Sequence, residues 1–179
     1  LGDVYKRQLE RRLAKRHAER PDVLQGHPGG QRHAGFCGLN YYTHVLVGPA
    51  SVSLLKMKFP KRRQEVATEF GYPMYAEGLR RAIEFLAPLN VPIEITENGV
   101  ADAEDTLRTE HLRRHLWVLS NAVKDGHDVR SYHHWSLMDN FEWAEGYSMR
   151  FGLHRVDFES QERTLRPSGE VYKAIVGRR

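Results

Sequence analysis

The chain has 179 residues, 27 Lys and Arg against 23 Asp and Glu, and a single cysteine. That length can bury one real core but falls short of the roughly 250 residues of a complete (β/α)8 barrel. Cys37 alone excludes an internal disulfide framework and a multi-cysteine zinc site, and no apolar run approaches the roughly 20 residues of a membrane span.

The net charge of +4 has one address. Residues 1–35 hold eight basic and four acidic side chains, and residues 36–179 hold 19 of each. From Lys6 to Arg20 the only large apolar residues are Leu9 and Leu13, so a helix there is polar over most of its surface. Gln25–Gln31 is a Gly/His/Gln stretch with no period of either kind. A basic arm can meet phosphate backbones, yet without interleaved aromatics it lacks a stacking platform. A solvated helix and loop is the preferred reading, with neither nucleic acid nor membrane as partner. No signal-peptide pattern is present at this end.

From Phe36 onward strand and helix signals alternate. Phe36–Thr43 reads as an apolar-aromatic strand, and residues 76–89 place Leu79, Ile83 and Leu86 on one helix face. Val91–Thr96 reads as a second strand, stopped by the turn pair Asn98-Gly99. Leu112, Leu116, Leu119 and Val123 mark a second helix, with Gly126 as its stop. Val129–Trp135 is a third strand, and Pro167-Ser168 opens a last helix with Ser168 as N-cap and Val171 and Ile175 facing inward. This alternation predicts right-handed βαβ units around a parallel sheet.

Parallel α/β sheets work at the carboxyl ends of their strands. There the second strand carries Thr96-Glu97-Asn98-Gly99, and a period of two puts Val91, Ile93, Ile95 and Glu97 on one face. Glu97 so placed can act as nucleophile or acid/base; an ion pair or a loop cap suits the position equally well. The third strand ends in Trp135–Tyr147, with two tryptophans, three acids and an asparagine. Indole faces suit sugar C–H bonds, and carboxylates and amides suit vicinal hydroxyls, although a buried aromatic cluster with surface acids has the same composition.

Ile95-Thr-Glu-Asn-Gly99, together with Trp135-Ser-Leu-Met-Asp-Asn-Phe-Glu-Trp-Ala-Glu-Gly-Tyr-Ser-Met-Arg-Phe-Gly152, resembles glycoside hydrolase family 1, the β-glucosidase family. Gly38-Leu-Asn-Tyr-Tyr-Thr43 and Gly71-Tyr-Pro-Met-Tyr-Ala-Glu-Gly78 resemble motifs of the same family, in its order. The resemblance covers about residues 36–177. It implies that Glu97 is the nucleophile of a retaining mechanism and that Tyr42 hydrogen-bonds it. It implies Asn40 as a polar neighbour, Trp135 as the stacking platform, Glu142 and Trp143 as holders of the sugar hydroxyls, and Phe151 as a lining residue. It also implies a cis peptide at Trp135–Ser136. His133, on Trp135's strand face, is expected to point into the barrel as a satisfied core histidine. Glu142 would repel a phosphate in a low-dielectric pocket, so the substrate implied is an unphosphorylated β-glycoside. No cofactor and no metal are implied, and the oligomeric state is left open.

The family takes its acid/base from an Asn-Glu-Pro motif that does not occur here. The expected fold is therefore the C-terminal portion of a (β/α)8 TIM barrel, about three βα units that do not close it. It would carry the nucleophile without the acid, and so little or no activity alone. Asp139 and Glu145 have no catalytic role in the family. Residues 1–35, which change abruptly in charge and texture near Phe36, are read as a basic segment foreign to the family, and residues 36–179 as the barrel piece. The alternatives are a non-catalytic carbohydrate-binding module and a basic nucleic-acid-binding protein.

Overall fold

The computed structural model describes residues 35–44 and 65–177. The polar helix expected within residues 6–20, and all of the basic segment up to residue 34, lie outside the described residues.

Three parallel strands form the main sheet in the order β1 (Cys37–Asn40), β2 (Ile93–Asn98) and β3 (Val129–His134). Helix α1 (Ala76–Leu86) precedes β2, and α2 (Arg108–Lys124) crosses over from β2 to β3. A short antiparallel hairpin, β4 (His154–Val156) and β5 (Arg163–Leu165), leads into α3 (Pro167–Val176). Among the described residues the sheet does not close.

The helices end where their sequence makes them. Pro88 turns the end of α1 into the 3-10 turn Ala87–Leu89, and Asn90 follows in the left-handed region at φ 53°. Asp102 accepts the backbone amides of Thr106, Leu107 and Arg108 at 3.1, 2.7 and 2.9 Å, meeting the orphan donors at the start of α2. Gly126, at φ 103°, stops α2 as expected, its amide donating to the Val123 carbonyl.

Three expectations need correction here. Ser168 is not an N-cap: it lies inside the first turn of α3, after Pro167, and its hydroxyl and amide both donate to Asp105 at 2.5 and 2.8 Å. The residues that α3 buries are Ser168 and Gly169, with Val171 and Ile175 only half-buried. The second strand begins at Ile93 rather than Val91 and runs through Asn98.

One face of the sheet carries the core. Ile93, Ile95 and Val129 pack against Leu79 and Ile83 of α1 and Val118, Leu119, Ala122 and Val123 of α2. Gly38, Asn40 and His133 are exposed on the opposite face. His133 is thus not a satisfied core histidine. The histidine that β3 turns toward the helices is His134, paired in register with the fully buried Asn98.

Candidate functional site

The position of Glu97 follows from an irregularity in β2. Leu39 pairs with Ile95, but the next residue of β1, Asn40, pairs with Glu97, so Thr96 is an extra residue. Such a bulge resets the alternation of side chains. Ile93 and Ile95 face the helices; Thr96 then donates from Oγ1 to Asn40 Oδ1 at 2.6 Å, and Glu97 stands beside Asn40 on the open face. The expectation that Glu97 shares a face with Ile93 and Ile95 is therefore wrong, because a strict period of two does not survive the bulge.

Asn98 takes the helix side and is fully buried. Its Nδ2 donates to the Tyr41 carbonyl at 2.7 Å, and its Oδ1 accepts from the Tyr132 hydroxyl at 2.9 Å. Its carbonyl accepts the Trp135 amide at 3.0 Å. One residue thus ties the carboxyl ends of all three strands together. Asn98-Gly99 is not a turn pair. A Cβ on Gly99 would lie 1.9 Å from the Trp135 carbonyl oxygen, so glycine serves the close approach of β3.

On the open face Tyr42 donates its hydroxyl to Glu97 Oε2 at 2.7 Å. Burial, then the hydrogen bond and negative charge of Glu97, push the Tyr42 phenol far above its ordinary pKa. The hydroxyl stays protonated and remains a donor at any working pH. Phe151 meets the Tyr42 ring edge-on at 6.2 Å, and Tyr72 does so at 6.3 Å.

The loop after β3 supplies the rest. The Trp135–Ser136 peptide is cis. Trp135 Nε1 donates to Glu142 Oε1 at 3.0 Å, coupling the indole to the carboxylate proposed for sugar hydroxyls. The charge of Glu142 also reaches Tyr42 and Tyr72, raising both phenols after the larger effect of burial. Underneath, Asp139 is fully buried and accepts both terminal nitrogens of Arg166, at 3.0 and 3.1 Å. It also accepts the amides of Gly152 and Val156, at 2.9 and 3.2 Å. Asp139 is a tie for the loop that ends in Phe151.

Of the residues expected at the site, Tyr42, Glu97 and Phe151 come together, Trp135 pairs with Glu142, and Asn40 binds Thr96. Trp143 stands apart at 86% exposure. Three contributors escaped the sequence reading: Tyr72 and Phe70 in the aromatic wall beside Phe151, and Asn98 beneath it. The Gly71–Gly78 motif flagged the neighbourhood of the first two without giving them a role. Among the described residues no group of three or more His, Cys, Asp or Glu is placed to hold a metal ion, and no helix is long and apolar enough to cross a membrane.

The chain is similar to proteins of one known family. The family model described as Glycosyl hydrolase family 1 matches residues 5–179, so its match extends into the basic segment. The chain is 39% identical over 153 residues to a β-glucosidase of Agrobacterium sp., covering 77% of this chain and 33% of the relative. It is 40% identical over 157 residues to a β-galactosidase of Pyrococcus woesei, covering 78% and 31%. Among solved structures, the hyperthermophilic β-glucosidase of Pyrococcus furiosus superposes with a TM-score of 0.73 at 42% identity, covering 79% of this chain and 32% of that one. The β-glucosidase of Thermotoga maritima, in complex with galacto-hydroximolactam, gives 0.71 at 36% identity, covering 80% and 34%. The chain therefore spans about a third of the length of these relatives.

Fold and relatives agree on the class, the α/β fold of the glycosyl hydrolases, of which this chain spans a part. Within that class, the chain belongs to glycosyl hydrolase family 1.

Proposed function

We propose that the chain is the C-terminal portion of a retaining β-glycosidase acting on unphosphorylated β-glucosides or related sugars, with Glu97 as nucleophile. The observation that carries the reading is the Tyr42–Glu97 hydrogen bond at the carboxyl end of the sheet. A carboxylate oriented through one oxygen by a neutral phenol keeps the other free to attack an anomeric carbon. In the first step a Glu97 oxygen forms the bond to that carbon while the bond to the aglycone oxygen breaks, giving a covalent glycosyl ester. Water then cleaves the ester and restores the carboxylate. Trp135 stacks on the sugar and Glu142 accepts its hydroxyls, the indole N–H fixing one Glu142 oxygen.

The departing aglycone needs a proton from a second carboxyl about 5–5.5 Å from the first. Asp139 is bound to Arg166, Glu142 receives the Trp135 N–H, and Glu145 lies in an exposed 3-10 turn. None suits the part, and the Asn-Glu-Pro motif is not in the sequence. The chain alone therefore cleaves ordinary β-glucosides weakly or not at all. A glucoside with an excellent leaving group needs no acid.

The test is mass spectrometry after incubation with a dinitrophenyl 2-deoxy-2-fluoro-β-glucoside. The expected result is one sugar adduct on Glu97, lost in Glu97→Gln. An adduct on another residue, or none in a sample shown to be folded, would overturn the assignment.

A further inference from the structure

Beside the apolar contact of α2 with β3, three histidines come together. His111 and His115 lie one turn apart on α2, both essentially unexposed, their rings stacked with centroids 3.9 Å apart. His134 faces them from the end of β3, its ring 6.0 Å from Tyr172 of α3. One ring nitrogen of the trio is satisfied: His115 Nδ1 donates to the His111 carbonyl at 2.8 Å. Among the described residues, both nitrogens of His111, both of His134, and His115 Nε2 are buried without a hydrogen-bond partner. Five such atoms in one place are unusual, since buried polar groups are normally paired.

The surrounding groups give a proton no welcome. Arg108 lies one turn before His111 and its charge bears on both His111 and His134. Arg114 opposes protonation of His115, and Glu77 of α1 favours it. Tyr132 on β3, Tyr172 on α3 and Tyr41 after β1, 6.0 Å from His115, complete the wall with neutral rings. The Arg108 guanidinium is already engaged by Asp105 and by the carbonyls of Asp102 and Arg150. A second cation here would have to repel it or move.

We propose that His111, His115 and His134 form an acid-sensitive latch that holds α2 and α3 against β3 only while all three rings are neutral. Because Trp135 directly follows His134, opening the latch moves the indole away from Glu142, so acid dismantles the site from behind. The same three groups are the ones that burial drives down: His115 to about 4, His134 to about 3, and His111 well below the ordinary histidine value. The sign follows. A histidine whose folded pKa is depressed contributes stability that is present above the unfolded pKa, about 6.5, and is lost as pH falls toward the folded value. The proposal does not rest on the glycosidase reading.

The experiment uses the full chain, with denaturant unfolding followed by tryptophan fluorescence between about pH 7.5 and pH 5, above the range where carboxylates take up protons. Each latch histidine should raise the unfolding equilibrium constant by up to about tenfold per pH unit below 6.5, or about a thousandfold for the three. His134→Phe and His111→Phe, which keep a ring but cannot titrate, should each lower that steepness by about tenfold per unit. An unchanged steepness in a folded variant would overturn the latch. If a variant does not fold, histidine proton NMR of the unaltered chain decides. Midpoints below about 5 for the three rings support the proposal, and a midpoint near 6.5 for any of them in the folded chain refutes it.

Discussion

The tie beneath the site loop gives a prediction that needs no substrate. Asp139→Ala removes a fully buried carboxylate that accepts from two Arg166 nitrogens and the amides of Gly152 and Val156, with Arg150 Nη1 3.6 Å away. The guanidinium, 6% exposed, would be left in the interior without its counter-charge, and two backbone donors would lose their acceptor. Breaking a buried ion pair from one side costs about 3–5 kcal/mol. Two orphaned amides keep the value toward the upper end, about 4 kcal/mol, since each buried unsatisfied donor costs about 1–3 kcal/mol by itself. With a urea dependence of about 2 kcal/mol per molar, the unfolding midpoint should fall by about 2 M. Replacing both partners, Asp139→Leu with Arg166→Met, should recover most of the loss, because the uncompensated charge is gone. A midpoint shift below about 0.5 M for Asp139→Ala would mean that Arg166 finds solvent or another acceptor. The loop would then not be held as described.

Three further outcomes follow from the same geometry. Gly99→Ala sets a methyl 1.9 Å from the Trp135 carbonyl oxygen. It should lower Tm by roughly 6–12 °C, an overpacking cost of about 3 kcal/mol read by calorimetry. Tyr42→Phe keeps the ring against Phe151 but removes the donor to Glu97. The rate of fluoroglucoside labelling should drop about 10- to 100-fold, as expected for one hydrogen bond to a charged group, while Tm barely moves. Burial raises the phenols of Tyr41, Tyr42, Tyr72, Tyr132 and Tyr172 above their ordinary value. Their contribution to stability is intact below the unfolded pKa of about 10 and is lost as pH rises beyond it. Phenolate absorbance should therefore rise together with loss of circular dichroism, and five tyrosines titrating freely near pH 10 in a folded chain would contradict this.

What could be read in advance was what repeats. The faces of α1 and α2 follow a 3.6-residue period, and Leu79, Ile83, Leu112, Leu119 and Val123 are buried as that period predicts. The glycine after α2 and the parallel pairing of the strands also follow from the sequence pattern. The motif residues Tyr42, Glu97, Trp135, Glu142 and Phe151 were nameable because their types are specific in combination. What failed was whatever depends on a partner far away in the chain. Ser168 has the side chain of an N-cap, but Asp105, 63 residues earlier, takes its hydroxyl. The strands of the β4–β5 hairpin are three residues long, too short to show an alternation. His134, not His133, is the helix-facing histidine of β3, because the strand's register against Asn98 decides which of two neighbours faces the helices.

The bulge at Thr96 shows why the site could not be drawn from periodicity alone, and why the chain needs the irregularity. Without it, Glu97 would follow Ile93 and Ile95 into the apolar layer against α1 and α2, where burial of a carboxylate would be strongly destabilising. One inserted residue moves the charge to the open face beside Asn40 and Tyr42. The following residue then falls on the helix side, and it is a neutral amide whose oxygen and nitrogen both find partners there. Asn98 can therefore occupy the position that Glu97 could not. By bonding Tyr41 on one side and Tyr132 on the other, it fixes the two strands that carry Tyr42 and Trp135. The same step in the backbone that exposes the carboxylate thus also sets the distance between the tyrosine that orients it and the indole of Trp135.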